Sequence, residues 1–215
     1  MPVTGYIFDL GGVLINLNIS RCTHAFEALM GKENMCAVLG MDSNGEGRRI
    51  PDNVRAVSVA TKQLMADFER GLISTDIFIR EVLRFCKPGT TAEQVEEAWF
   101  AMLGDLPQER LDFIDSLHSK GHPVYLLSNG NDLHFDFINR TYGLAPHFDR
   151  LFLSQKMHLS KPEEAIFREV DKAVRADLHT SQADIIFIDD LEVNRLAAER
   201  FVGWRTFASI NDLCK

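Results

Sequence analysis

Four short segments place side chains able to do chemistry at the ends of apolar runs or at a helix start. Asp9 follows Val3–Phe8, Ser128-Asn129 follows Val124–Leu127, Lys161 precedes Pro162, and Asp189-Asp190 follow Asp184–Ile188. Each has an ordinary explanation alone: Asp caps helices and turns, Ser-Asn-Gly is turn chemistry, and a Lys before Pro is usually solvated. Together they suggest more. Two or three carboxylates converging on one site repel unless a cation sits between them, and an oxygen-only donor set favours a hard ion such as Mg²⁺. A lysine and a serine hydroxyl would complement phosphate oxygens, and backbone N–H groups around Gly11 and Gly12 could form a nest for the same anion. A carboxylate nucleophile beside a metal is a route to an aspartyl-phosphate, so the set is coherent as a phosphoryl-transfer site.

Convergence requires a scaffold that brings these segments to one edge. Tyr6, Ile7 and Phe8 suit a buried strand, with Gly11-Gly12 marking a tight turn after it. From Pro107 onward, helices and strands alternate. A helix carrying Leu111, Ile114 and Leu117 stops at Gly121, and the strand Val124–Leu127 is followed by a helix over 133–140. A short strand, Leu151–Leu153, leads to a helix opened by Pro162 and ending near Arg175. The strand Asp184–Ile188, a helix over 191–201 and a strand over 204–207 complete the chain. Alternating helices and continuously apolar strands predict an α/β fold, a doubly wound, Rossmann-like parallel sheet covered on both faces. In such sheets ligands bind at the carboxyl ends of the strands, near a topological switch point.

Between the first two strands lie more than a hundred residues, where a crossover needs about a dozen. The excess reads as helical. Helices are expected over 20–30, over 53–70 with a stop at Gly71, from a Ser74 cap through Phe85, and from Thr91 through Val95, Ala98, Trp99 and Met102. Asp42–Arg49 is the expected loop. The inserted helical module spans 16–103, and residues 1–15 and 104–215 form the core. Trp99, Phe100 and Met102 read as packing within the insert rather than as a ligand stripe.

The 215 residues are 46% hydrophobic and 25% charged, and their net charge is −8. This is a globular composition able to bury a core, and its acidity argues against non-specific nucleic-acid binding. No apolar run approaches the roughly 20 residues that span a bilayer, and Met1–Leu10 lacks the features of a signal peptide. Cys22, Cys36, Cys86 and Cys214 match no metal or redox spacing and read as reduced thiols, so the expectation is a cytoplasmic protein without membrane or nucleic-acid partners. The pattern leaves oligomeric state open.

In order and spacing, Ile7-Phe8-Asp9-Leu10-Gly11-Gly12-Val13-Leu14, Leu127-Ser128-Asn129, Lys161-Pro162 and Phe187-Ile188-Asp189-Asp190 resemble the four motifs of the haloacid dehalogenase superfamily, with a helical cap inserted after the first. Phe68-Glu69-Arg70-Gly71 through Phe78 is similar to the cap of bacterial sugar-phosphate phosphatases of the glucose-1-phosphate type. The resemblance implies a Mg²⁺-dependent phosphatase acting on a small phosphorylated metabolite. Asp9 would be the nucleophile, Ser128 and Lys161 would bind the phosphoryl group, and main-chain amides near Leu10, Gly11 and Asn129 would assist. Asp9, the Gly11 carbonyl and Asp190 would hold the metal, with Asp189 a further ligand or a supporting partner. Asn194 stands where many relatives have a further carboxylate.

One departure is Gly11, where most phosphatases of the superfamily carry an acid–base Asp, although the sugar-phosphatase subgroup also has Gly. His24 and His158 are candidate replacements. Arg48 and Arg49 read as exposed rather than anion-binding. The alternatives implied are a metal-free 2-haloacid dehalogenase, disfavoured by Asp189-Asp190, a phosphosugar mutase, and a binding protein that kept the fold but lost turnover.

Overall fold

A computed structural model describes residues 4–39, 63–179 and 184–214. The chain divides into two compact units, Leu17–Gly104 and, made of two segments, Met1–Asn16 with Asp105–Lys215. No helix among the described residues is long and apolar enough to cross a membrane. The four cysteines are free thiols.

The Leu17–Gly104 unit is helical: α1 (Ile19–Met30), α2 (Lys32–Leu39), α3 (63–69), α4 (Thr75–Leu83) and α5 (Ala92–Phe100). Local chemistry sets the ends. Asn18 and Ser74 cap α1 and α4, and Thr91 with Gln94 forms a reciprocal capping box on α5. Its core is aromatic: Phe68 and Phe78 stack 4.1 Å apart, and Trp99 packs against both and against Phe26. Trp99 is therefore a packing residue. Two boundaries differ from expectation. The helix capped by Ser74 stops at Leu83 rather than Phe85, and α5 stops at Phe100, leaving Met102 in a turn. Helix α2 was not anticipated; it follows Gly31, whose positive φ (79°) ends α1 and lets the chain restart as a new helix. Residues 53–62 of the expected helix, and the expected loop Asp42–Arg49, lie outside the described residues.

The two-segment unit holds five parallel strands, β1 (Thr4–Phe8), β2 (Val124–Ser128), β3 (Arg150–Leu153), β4 (Asp184–Ile188) and β5 (Arg205–Phe207), in the order β3-β2-β1-β4-β5. Its helices are α6 (Gln108–Ser119), α7 (Asp132–Tyr142), α8 (Ser154–Met157), α9 (Glu164–Asp177), α10 (Glu192–Val202) and α11 (Ile210–Leu213). Ile7, Tyr125, Leu127, Ile185 and Phe187 face one side, where they pack with Ile166, Phe167, Val170 and Val174 of α9 and Ala197 and Ala198 of α10. Phe8 turns to the opposite face and meets Phe113 of α6 edge-on. Helices on both faces of a parallel sheet explain why every residue of β2 is buried. The sheet is the expected doubly wound α/β arrangement.

Pro162 does not open α9. It lies in a turn closed by the Glu163 amide donating to the Ser160 carbonyl, and the helix starts at Glu164. The one-turn α8 was too short to carry a periodic signal. Register places the site: Phe8 stands beside both Leu126 and Ile188, so β1 and β4 end together and β2 runs two residues beyond them, to Ser128. The chain adds β2 and then β3 on one side of β1 and crosses back from β3 to place β4 and β5 on the other, which makes the β1/β4 boundary the switch point.

Phe167 is fully buried and meets Phe187 and Trp204 edge-on at 6.1 and 5.8 Å. Phe167→Ala is expected to destabilise the protein by about 3–5 kcal/mol, read as a shift in the urea midpoint. A loss below about 1 kcal/mol would show that this core is not closely packed.

Candidate active site

Asp9 and Asp189 are the first residues beyond two adjacent strands that end in register, so their side chains emerge together. Between them sits the ammonium of Lys161. Its Nζ donates to Asp9 Oδ1 (2.8 Å), Asp189 Oδ2 (2.6 Å) and the Leu127 carbonyl (3.0 Å), using all three N–H groups. The lysine side chain is 1% exposed. Sequence reasoning on the isolated residue favoured a solvated lysine; the fold buries it.

A buried ammonium needs a held backbone. Asn129 Nδ2 donates to the Lys161 carbonyl (2.8 Å), and the Lys161 amide donates to Asn129 Oδ1 (2.9 Å). This two-way clamp joins the loop after β2 to the loop before α9. Ser154, fully buried at the start of α8, accepts from the Gly130 amide (3.0 Å) and donates to its carbonyl (3.3 Å). Among the described residues the Ser128 hydroxyl makes one long contact, with its neighbour's carbonyl (3.4 Å), which leaves it available to a ligand.

After Asp9 the chain turns tightly. Leu14 and Ile15 amides both donate to the Leu10 carbonyl, and Val13, Leu14 and Ile15 are buried. Gly12, rather than Gly11, adopts positive φ (77°). A Cβ on Gly12 would collide with the Asp190 carboxylate, 2.7 Å from its Cγ. The missing side chain is what lets Asp190 approach the turn. Carboxylate oxygens of Asp9, Asp189 and Asp190 then lie within 4.8 Å of one another.

The electrostatics follow from this crowding. The Asp9 carboxyl is pushed up to about 6, chiefly by burial with the Asp189 charge adding to the rise, while Lys161 opposes it. Burial works against the Lys161 ammonium, but the charges of Asp9 and Asp189 outweigh it and hold its pKa above the usual lysine value. Burial and the Asp189 charge also raise Asp190.

The structure thus brings Asp9, Leu10, Gly11, Ser128, Asn129, Lys161, Asp189 and Asp190 to one sheet edge. Asn194, in the first turn of α10, is buried, and its Nδ2 donates to both Asp189 oxygens (3.1 and 3.0 Å). It fixes a carboxylate rather than supplying one. His24 lies in the helical unit, its Nδ1 2.7 Å from the Ser20 carbonyl. His158 is exposed and ends α8 with a left-handed backbone. Arg48 and Arg49 lie outside the described residues. Sequence reasoning passed over Ser154 and Arg195; the latter's Nη1 donates to the carbonyls of Asp189 and Asp190. A polar residue immediately after β3, and an arginine one turn into the helix after an acidic pair, were the available signals.

Gly12→Ala is expected to destabilise the protein by about 1 kcal/mol or more, because alanine strains at positive φ, measured by thermal melting; unchanged stability would mean the turn is loosely held. A second expectation concerns pH. With its pKa raised from the ordinary 3.8 to about 6, Asp9 binds its proton more tightly in the folded state than in the unfolded chain. Its contribution is therefore most favourable at low pH and is lost as pH rises between those values. In EDTA at pH 7.5, Asp9→Asn should melt no lower than wild type, the difference shrinking below pH 5. A clearly lower melting point would make Asp9 a structural carboxylate.

The chain is similar to known proteins along nearly its whole length. A D-ribitol-5-phosphate phosphatase of Bacteroides thetaiotaomicron is 25% identical across 97% of this chain and 93% of its own length. The crystal structure of a haloacid dehalogenase family enzyme from the same organism superposes with a TM-score of 0.75 at 29% identity, covering 96% of this chain and 93% of that one. The same wild-type enzyme in complex with magnesium and inorganic phosphate gives 0.71 at 27% identity, over 95% and 93%. The family model of haloacid dehalogenase-like hydrolases matches residues 3–201, and the chain belongs to that family of hydrolases.

Proposed function

We propose that the protein is a Mg²⁺-dependent phosphatase that hydrolyses a small phosphorylated metabolite, a sugar phosphate, through an aspartyl-phosphate on Asp9. Residues Met1–Asn16 and Asp105–Lys215 are its catalytic core and Leu17–Gly104 its helical cap. The observation that carries this reading is one buried lysine held between the carboxylates of Asp9 and Asp189, beside a third at Asp190. The likeness to a D-ribitol-5-phosphate phosphatase, and to an enzyme crystallised with magnesium and inorganic phosphate, supports the substrate class and the metal.

The donor set fits Mg²⁺: carboxylate oxygens crowded within 4.8 Å carry more negative charge than Lys161 offsets. Lys161 and Asn194 already occupy the Asp189 carboxylate, so Asp9, Asp190 and the Gly11 carbonyl would hold the ion while Asp189 aligns Lys161. When bound, the ion supplies charge neutralisation at the phosphoryl oxygens. An Asp9 oxygen attacks phosphorus, an O–P bond forming as the ester P–O bond breaks and the leaving oxygen takes up a proton. Water then cleaves the acyl phosphate, returning the carboxylate and releasing inorganic phosphate. Lys161 contributes its charge next to the attacking group, since its donors are already used. The Ser128 hydroxyl and the amides of Leu10, Gly11 and Asn129 donate to the phosphoryl oxygens. Three clustered carboxylates favour this chemistry over a metal-free dehalogenase.

Phosphate release from a panel of sugar phosphates, with Mg²⁺ and with EDTA, is the direct test. Release should require Mg²⁺ and vanish in Asp9→Asn; release by Asp9→Asn near the wild-type rate would overturn the assignment, and Mg²⁺-dependent ligand binding without release would identify a binding protein. Gly11 generates a kinetic expectation. No carboxylate stands two residues beyond Asp9 to activate water, and general acid–base help is worth roughly 10² to 10⁴ in rate. Rapid-quench measurements with an activated aryl phosphate should show a burst and then slower steady release, with trappable phosphoenzyme. A linear time course with no trapped intermediate would place the slow step elsewhere.

A further inference from the structure

We propose that Arg195 is a positioning residue for magnesium, acting through the main chain of Asp189 and Asp190; the inference rests on the metal reading above. Arg195 is half-buried in the first turns of α10, and a single nitrogen, Nη1, donates to two consecutive carbonyls, those of Asp189 (2.7 Å) and Asp190 (2.8 Å). Its neighbour Asn194 holds the Asp189 carboxylate, so that residue is gripped at both side chain and backbone. Asp190 is different. Among the described residues no side chain bonds its carboxylate, which meets backbone amides only. Its aim is therefore set by the torsions of residues 189–191, and Arg195 pins the two carbonyls that report those torsions. The approach of Asp190 to Gly12 depends on the same backbone.

Arg195 acts on a dication in two opposed ways. Its positive charge repels the ion through space, while its two hydrogen bonds hold a ligand in place before the ion arrives. Supporting bonds behind metal ligands are typically worth 10- to 100-fold in affinity, whereas a partly exposed charge is strongly screened. Positioning therefore dominates, and removing the arginine should weaken binding although it removes a repulsive charge.

The opposite signs make the test decisive. Mg²⁺ binding to the full chain is measured by calorimetric titration, and by the Mg²⁺-dependent shift in melting temperature, without substrate. R195M keeps length but loses charge and donors, and should bind Mg²⁺ about tenfold more weakly than wild type. R195Q, whose amide is too short to reach the carbonyls, should behave likewise and stands in if R195M does not fold. R195K places one ammonium where one nitrogen now makes both bonds, and should recover most of the affinity. R195M or R195Q binding as tightly as wild type, or more tightly, overturns the proposal even if melting without metal is lowered, because the arginine would then be structural. Wild-type protein that does not bind Mg²⁺ overturns the metal reading and this proposal with it.

Discussion

Everything at the site depends on burying one ammonium. Removing charges from water costs several kcal/mol per ion after relaxation, and attraction offsets this only where geometry supplies partners for each proton. Lys161 has three protons and three acceptors, from the residue after β1, the second-last residue of β2 and the residue after β4. No two of these segments are close in sequence. The parallel order β3-β2-β1-β4-β5 makes them neighbours, and the register of Phe8 with Leu126 and Ile188 sets the next residues, Asp9, Leu127 and Asp189, at one level. A one-residue slip of β4 would turn Asp189 to the opposite face and leave the lysine short of a partner.

The same arrangement leaves an excess of negative charge. One ammonium faces two carboxylates with a third nearby, while the raised Asp9 reflects first its burial, with Asp189 adding to the rise and Lys161 opposing it. A core built for stability alone would not hold such a set; here the strain is local, and the aromatic cluster of Phe167, Phe187 and Trp204 lies directly behind it. Phe187 serves both purposes, since its ring also stands 5.5 Å from the Lys161 ammonium.

Strand ends were legible because each is a run of apolar residues stopped by a polar one, which is how Asp9, Ser128 and Asp189 were found. Lys161 was legible only as part of a set: a lysine before proline looks solvated, and its burial arises from partners 152, 34 and 28 residues away. Asn194 and Arg195 were harder still. Their roles depend on α10 beginning at Glu192, so that its first turns fold back over Asp189, and a shift of a residue or two in that boundary, ordinary in sequence reasoning, changes which side chains reach the acidic pair. Helix α2 and the single turn of α8 were too short or too weakly patterned to register.

The central strand is also the earliest in the chain, and its neighbours β2 and β4 come from the second segment. Closing so long a loop is entropically slow, and topologies rich in distant pairings fold slowly. The junction softens this. Asn16 donates two hydrogen bonds to Asp105, one from its backbone amide and one from its side chain, and Arg110 ties to both Leu14 and Asn16. Within the helical unit, Leu17 bridges to Leu103. The two ends of the insertion thus leave side by side. If Leu17–Gly104 folds first, the loop between β1 and β2 is shortened about fourfold, which removes about 1 kcal/mol of closure entropy from the assembly of the sheet. In that order of events the inserted helices act as a splint that delivers β2 to the waiting strand.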